Sequence, residues 1–146
     1  MNTLVIDASV ALKWVLAEPD AEAALFIRRR YRLIAPELLL LECANTFWKR
    51  VRRKQLTVDE ALLLTNGIAQ AGIEFVSVRS NAEAIAGLAL DLDHPSYDCA
   101  YIAVALHHQC QFATADRRLI EAIRRSSRRD LDQTVVLFTD LVQRDD

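Results

Sequence analysis

Four acids stand out by where they fall: Asp7, Glu42, Asp98 and Asp116. Asp7 directly follows the apolar run "TLVI", and Asp116 directly follows "QFATA". Both positions are carboxyl ends of expected strands, where parallel α/β sheets form their ligand crevice. Glu42 falls within the expected helix "PELLLLECANTFWKRVRRK", and Asp98 within the first turn of the expected helix in "HPSYDCAYIAVALHH". That helix leads into "QFATA", so all four carboxylates can face one edge of a sheet. Held together without cations they would repel strongly at low dielectric. A shared divalent cation removes the difficulty, and a set of oxygen ligands without His or Cys suits Mg²⁺ or Mn²⁺ rather than zinc. Such a cation beside a basic surface points to phosphodiester hydrolysis: it binds a non-bridging phosphate oxygen, helps deprotonate water and stabilises the leaving oxygen.

Each acid also has a purely structural explanation. Asp7 suits a strand-end turn, Asp116 an N-cap for "RRLIEAI", and Asp98 the positive end of a helix dipole. Glu42 shares a polar stripe with Asn45 and Lys49, which fits a solvated face as well as a site.

The elements that must position these groups alternate along the chain. "TLVI" reads as a strand, and "SVALKWVLA" as a helix with Ser9 as its cap. "PDAEAALFIRRR" is a second helix and "YRLIA" a strand. Pro36 opens the long Glu42 helix, which buries Leu40, Ala44, Phe47 and Val51. "TVDEALLLTNGIAQAG" begins with a capping box, Thr57 with Glu60, and ends near Gly72. "IEFVSV" is a strand, "SNAEAIAGLALDL" a helix, and Ser96 caps the helix that carries Asp98. "QFATA", "DRRLIEAIRR" and "TVVLF" complete a strand, helix, strand series. Strands separated by helices require crossovers and a mainly parallel sheet covered on both faces, a three-layer α/β/α sandwich. No linker or internal repeat divides the chain, so residues 1–146 are expected to form a single domain.

Composition narrows the classes further. With 52% hydrophobic residues and only 3 Gly and 3 Pro, the chain is neither disordered nor of low complexity. The N-terminus "MNTLVIDASV" lacks the pattern of a secretory signal, and no apolar stretch approaches the about 20 residues of a membrane span. A soluble cytoplasmic protein without membrane contact is the expectation. Cys43, Cys99 and Cys110 are widely spaced within apolar patterns and read as reduced core residues. The net charge of −2 conceals basic clusters in "RRRYR", "KRVRRK", "DRR" and "RRSSRRD". They are read either as solvated helix ends or as patches converging on a polyanion. His107 and His108 end a helix, where they serve its last carbonyls, and His94 before Pro95 is read as a loop residue. No Gly-rich phosphate loop is present, which counts against a nucleoside triphosphate.

"LVIDASVALKW", "PELLLLECANTFWK", "HPSYDCAYIAVA" and "FATADRRL", in this order and spacing, resemble the four motifs of PIN-domain ribonucleases, specifically the VapC-type toxins of toxin–antitoxin pairs. The resemblance covers nearly the whole chain. It implies a PIN-like three-layer α/β/α fold and Mg²⁺- or Mn²⁺-dependent endonucleolytic cleavage of RNA. It also implies frequent homodimers and inhibition by a small VapB-type antitoxin whose tail reaches the active site. By the same resemblance Asp7, Glu42, Asp98 and Asp116 are the metal-binding acids, Ser9 and Thr114 are hydroxyls near the site, and Asn45 is the polar residue accompanying the glutamate. Arg117 and Arg118, with Lys49 and Arg52 at the basic end of the Glu42 helix, are candidates for phosphate contacts. Trp14, Leu16, Phe47 and Trp48 are either core or, if exposed together, a groove for an amphipathic partner segment.

Two other classes compete with this reading. One is a catalytically inactive PIN-like module that binds RNA or protein and keeps its acids as caps. The other is an aspartate-type phosphohydrolase or phospho-acceptor domain. Against the latter, "DASVA" lacks a second Asp two residues after the first, and no adjacent acidic pair lies near the first strand.

Overall fold

Apolar β-forming runs and amphipathic helical runs alternate in this sequence, and in the computed structural model, which describes residues 1–143, they take those forms. The last three positions of the expected 1–146 domain lie outside the described residues. The chain passes through β1 (Thr3–Ile6), α1 (Ala8–Ala11), α2 (Ala21–Arg30), β2 (Arg32–Pro36), α3 (Leu38–Arg52), α4 (Val58–Ala69) and β3 (Glu74–Val76). It continues through α5 (Ala82–Leu92), α6 (Ser96–His107), β4 (Gln111–Thr114), α7 (Arg117–Arg125), β5 (Val135–Leu137) and α8 (Phe138–Gln143). The final helix was not expected from the sequence; its first residue, Phe138, reads there as the end of strand "TVVLF".

The sheet has five strands, all parallel, in the order β3-β2-β1-β4-β5. The chain builds outward from β1 to β3 on one side, then returns to lay β4 and β5 on the other. Leu4, Val5 and Ile6 pair in register with Gln111, Phe112 and Ala113, while Leu4 and Val5 also face Leu33 and Ile34. Strand order therefore reverses between β1 and β4. In an open parallel sheet that point is where the loops diverge and leave a crevice beyond the carboxyl ends of the strands. Helices cover both faces, giving the three-layer α/β/α sandwich.

Two helices show how the sequence sets this up. On α3 the buried stripe is Leu39, Cys43 and Phe47, at i, i+4 and i+8; Leu40, Ala44 and Val51, expected to be buried, are only half-buried beside it. The stripe is thus turned by one residue, and Glu42 keeps access to solvent. α6 is apolar all round and buries Cys99 through Ala105 without a break, packed against β1, β2 and β4 on one side and α5 on the other. A helix of that composition is stable only inside the protein. One continuous core runs from Leu4 on β1 to Leu141 on α8.

Local caps follow the chemistry of the sequence only in part. The Thr57–Glu60 capping box forms in both directions, and Gly72 closes the turn after α4 at φ 90°, a conformation that favours glycine. Pro36 is the last residue of β2 and not the start of α3, which begins at Leu38. Ser96 is the first helical residue of α6, preceded by Pro95, and its side chain provides no cap. Cys43, Cys99 and Cys110 are free thiols.

Candidate active site

Asp7 is the residue at which β1 becomes α1. Ser9 was expected to cap this helix, but Asp7 does so, accepting from the Val10 N–H at 3.3 Å. Ser9 Oγ donates to the same oxygen, Oδ1, at 2.5 Å, and Thr114 Oγ1 donates to Oδ2 at 2.6 Å. Each hydroxyl in turn accepts from the chain beyond β4: Ser9 Oγ from the Ala115 N–H and Thr114 Oγ1 from the Asp116 N–H, both at 3.0 Å. Two side chains thus clamp the end of β1 to the end of β4. Burial pushes the Asp7 carboxyl up to about 6, against the pull of its hydrogen bonds, and Glu42 adds repulsion.

Glu42 projects from α3 and is half-buried. Its Oε1 accepts from the Tyr101 phenol at 2.5 Å, across from α6. Burial raises its carboxyl above the usual range; the phenol opposes this and Asp98 adds to it. Asp98 lies in the first turn of α6, as expected, with its Oδ2 at 2.6 Å from His94 Nε2. Asp116 caps α7, accepting at Oδ1 from the N–H groups of Arg118 and Leu119 at 3.0 and 3.3 Å.

The electrostatic links show which acids share a neighbourhood. Glu42 acts on Asp7 and Asp98 acts on Glu42, and the buried Cys43 thiol, pushed up to about 12 chiefly by burial, feels both Glu42 and Asp7. Asp116 joins through its backbone, by the bond to Thr114. Among the described residues no three His, Cys, Asp or Glu side chains gather tightly enough to hold a metal ion as they stand. The donor set nevertheless suits a hard divalent cation: oxygen ligands whose mutual repulsion is met by neutral hydroxyl and phenol donors. One surface depression lies away from the acids, lined by Ala21, Leu25, Phe26 and Arg29 of α2.

Of the supporting residues, Ser9 and Thr114 are at the site, while Asn45 is exposed one turn beyond Glu42. Arg117 and Arg118 are exposed and open α7 directly after Asp116. Lys49 and Arg52 are also exposed, but lie about 10 and 15 Å further along the α3 axis than Glu42. The Arg52 guanidinium stands 5.0 Å over the Trp48 ring. Other basic residues are committed to the fold. Arg128 pairs with Asp91 and Asp130, Arg129 donates to the carbonyls of Ile123, Arg124 and Ser126, and Arg50 pairs with Glu18.

The aromatic group suggested as a groove is mostly interior. Leu16 and Phe47 are buried and the half-buried Trp14 donates its indole N–H to the Ala24 carbonyl, so only Trp48, at 52%, is exposed.

Two residues at the site escaped sequence reasoning. Tyr101 reads as one apolar position among many in "YIAVAL", although a phenol in a fully buried run needs an acceptor and that need is the signal. His94 reads as a loop residue before Pro95, although four positions separate it from Asp98.

The sequence profile of the PIN domain matches residues 4–125 of this chain. Ribonuclease VapC3 from Pyrobaculum aerophilum is 34% identical to it over 122 residues, which span 81% of this chain and 92% of that relative. The fold is similar to that in the crystal structure of PAE2754 from Pyrobaculum aerophilum, with a TM-score of 0.70 over 98% of this chain and 96% of that one; at 19% identity the likeness is one of fold alone.

Proposed function

The chain belongs to the PIN-domain family, among its VapC-type ribonucleases, and from that premise we propose that it is a metal-dependent endoribonuclease, the toxin of a toxin–antitoxin pair. The observation that carries the reading is the linked set of Asp7, Glu42 and Asp98 at the reversal of strand order, with Asp7 buried and gripped on both carboxylate oxygens by hydroxyls. Burying an acid costs stability, and here it stands at the ligand crevice of the sheet.

Asp7, Glu42 and Asp98 would hold Mg²⁺ or Mn²⁺, and Asp116, already tied to Thr114 through its backbone, would complete the shell or orient the attacking water. When bound, the cation supplies charge stabilisation at the scissile phosphate and a more acidic water. Ser9 and Thr114 fix the Asp7 carboxylate, so that it need not reorganise during the reaction. Arg117 and Arg118, which open α7 directly after Asp116, would meet the phosphates flanking the cut; Lys49 and Arg52 would extend that contact along α3. The remaining expectations belong to the same proposal: one PIN domain over residues 1–146, a homodimer, a VapB-type antitoxin as inhibitor, and action in the cytoplasm. No described helix is long and apolar enough to cross a membrane.

A second reading, an inactive PIN-like module that binds RNA or protein, draws support from two observations. Asp116 spends its carboxylate on capping α7, and Asp98 is engaged by His94. One experiment separates the two. Wild type and Asp98→Asn, both shown to be folded and free of partner, are incubated with total RNA in Mg²⁺, Mn²⁺ or excess EDTA. Discrete fragments from wild type alone, abolished by EDTA, are expected. RNA binding without cleavage in either metal would establish the binding module instead.

A further inference from the structure

The helix α6 is buried on all sides from Cys99 to Ala105, and the one polar group in that stretch is the phenol of Tyr101. Its ring is fully buried and stacks on Phe112 of β4, with centroids 5.4 Å apart and planes 16° apart. Phe112 pairs in register with Val5 of β1 and lies two residues before Thr114. The ring is therefore held by the same strands that carry the Asp7 clamp, while its own helix carries Asp98. From this anchored position the hydroxyl reaches Glu42 Oε1 on α3. Burial drives the phenol's ionisation far above its ordinary value, so it remains a neutral donor.

We propose that Tyr101 is a positioning residue: its hydroxyl occupies Oε1 of Glu42 and holds Oε2 as the oxygen available to a divalent cation. The proposal rests on the metal-dependent reading above. A half-buried glutamate left free must surrender side-chain rotamer entropy when it is ordered on a ligand. The phenol imposes that order in advance, from a ring that cannot move without disturbing the core. Groups standing behind a metal ligand in this way tune affinity without touching the metal.

The test is Mn²⁺ binding to the full-length protein without RNA, read from the loss of the free-ion EPR signal. Tyr101→Phe keeps the ring and its stack on Phe112 and removes only the hydroxyl. It should remain folded and bind Mn²⁺ about tenfold or more weakly than wild type. Glu42→Asp, which keeps the charge but retracts it from the phenol, should lose affinity to a similar degree, and combining the two changes should add little further loss. Affinity within twofold of wild type in folded Tyr101→Phe overturns the proposal while leaving the metal reading intact. So does full additivity of the two losses, the mark of a phenol that acts only on the fold. If Tyr101→Phe does not fold, Glu42→Asp decides, and wild-type affinity there overturns the proposal. Absence of Mn²⁺ binding by wild type overturns both the proposal and the reading beneath it.

Discussion

The Thr114 hydroxyl donates to Asp7 Oδ2 at 2.6 Å, joining residues 107 positions apart in the chain. The bond spans the place where strand order reverses, and the Thr114 hydroxyl oxygen in turn accepts the Asp116 N–H. Thr114 thereby sets the spacing of two acids that have no direct contact with each other in sequence.

Thr114→Val should therefore disturb both fold and site. It preserves volume at a fully buried position but strips Asp7 and the Asp116 N–H of a partner, at a cost of about 1–3 kcal/mol. Urea denaturation should show that loss, and Thr114→Ser, which restores the hydroxyl, should recover most of it. A Val variant as stable as wild type would refute the assignment.

The raised Asp7 carboxyl makes a signed prediction for pH. Its value is 3.8 in the absence of the fold and about 6 within it, so between these values the native state holds a proton that the unfolded chain has released. The stability this confers is present in full below about 4 and is lost as pH rises through about 6, on the order of 3 kcal/mol. In EDTA, the melting temperature of Asp7→Asn should gain on that of wild type as pH goes from 4 to 7. A difference that stays flat over this range would contradict the burial assigned to Asp7.

Cation binding should be visible as stability. Mn²⁺ at a hundred times its dissociation constant raises stability by about 2.7 kcal/mol through mass action. Thermal denaturation at pH 7.5 should show this upward shift for wild type, and a much smaller one for Asp98→Asn and Glu42→Gln. Equal shifts in all three would place the ion elsewhere.

The arginines should divide into two groups. Arg117→Gln and Arg118→Gln should weaken RNA binding and each lower the slope of log affinity against log salt by about one, as expected for a lost phosphate contact. Arg128→Gln should leave that slope unchanged and cost about 1 kcal/mol or less, because its partners are Asp91 and Asp130 on the protein itself. A salt slope untouched by the first pair would remove them from the nucleic-acid interface.

The architecture was legible because its signals are local. The alternation of "TLVI", "YRLIA" and "QFATA" with amphipathic runs yields parallel strands, and strand ends then place Asp7 and Asp116. Which residues grip the acids was not legible in the same way, because those contacts are long-range: Tyr101 lies 59 positions from Glu42, and no periodicity reports such a pair. The Ser9 cap was misread for a related reason. Ser and Asp both favour that place, and only the nearby Thr114 and Ala115 decide that Asp7 takes it and Ser9 supports it. At α3 the apolar pattern was wide enough to admit two settings one residue apart, and packing chose Leu39, Cys43 and Phe47.

The four acids hang on four separate elements, and β4, which orients the first of them, is made late. As the chain leaves a ribosome, β1 to β3 emerge while β1 still has an open edge and Asp7 has no Thr114 beside it, and the Tyr101 ring of α6 follows ahead of the Phe112 it rests on. A nascent chain that has not yet released residues 111–116 therefore carries most of the acids but no assembled site. The machine synthesising it is itself largely RNA, and the order of synthesis withholds the assembled site until most of the chain has been made.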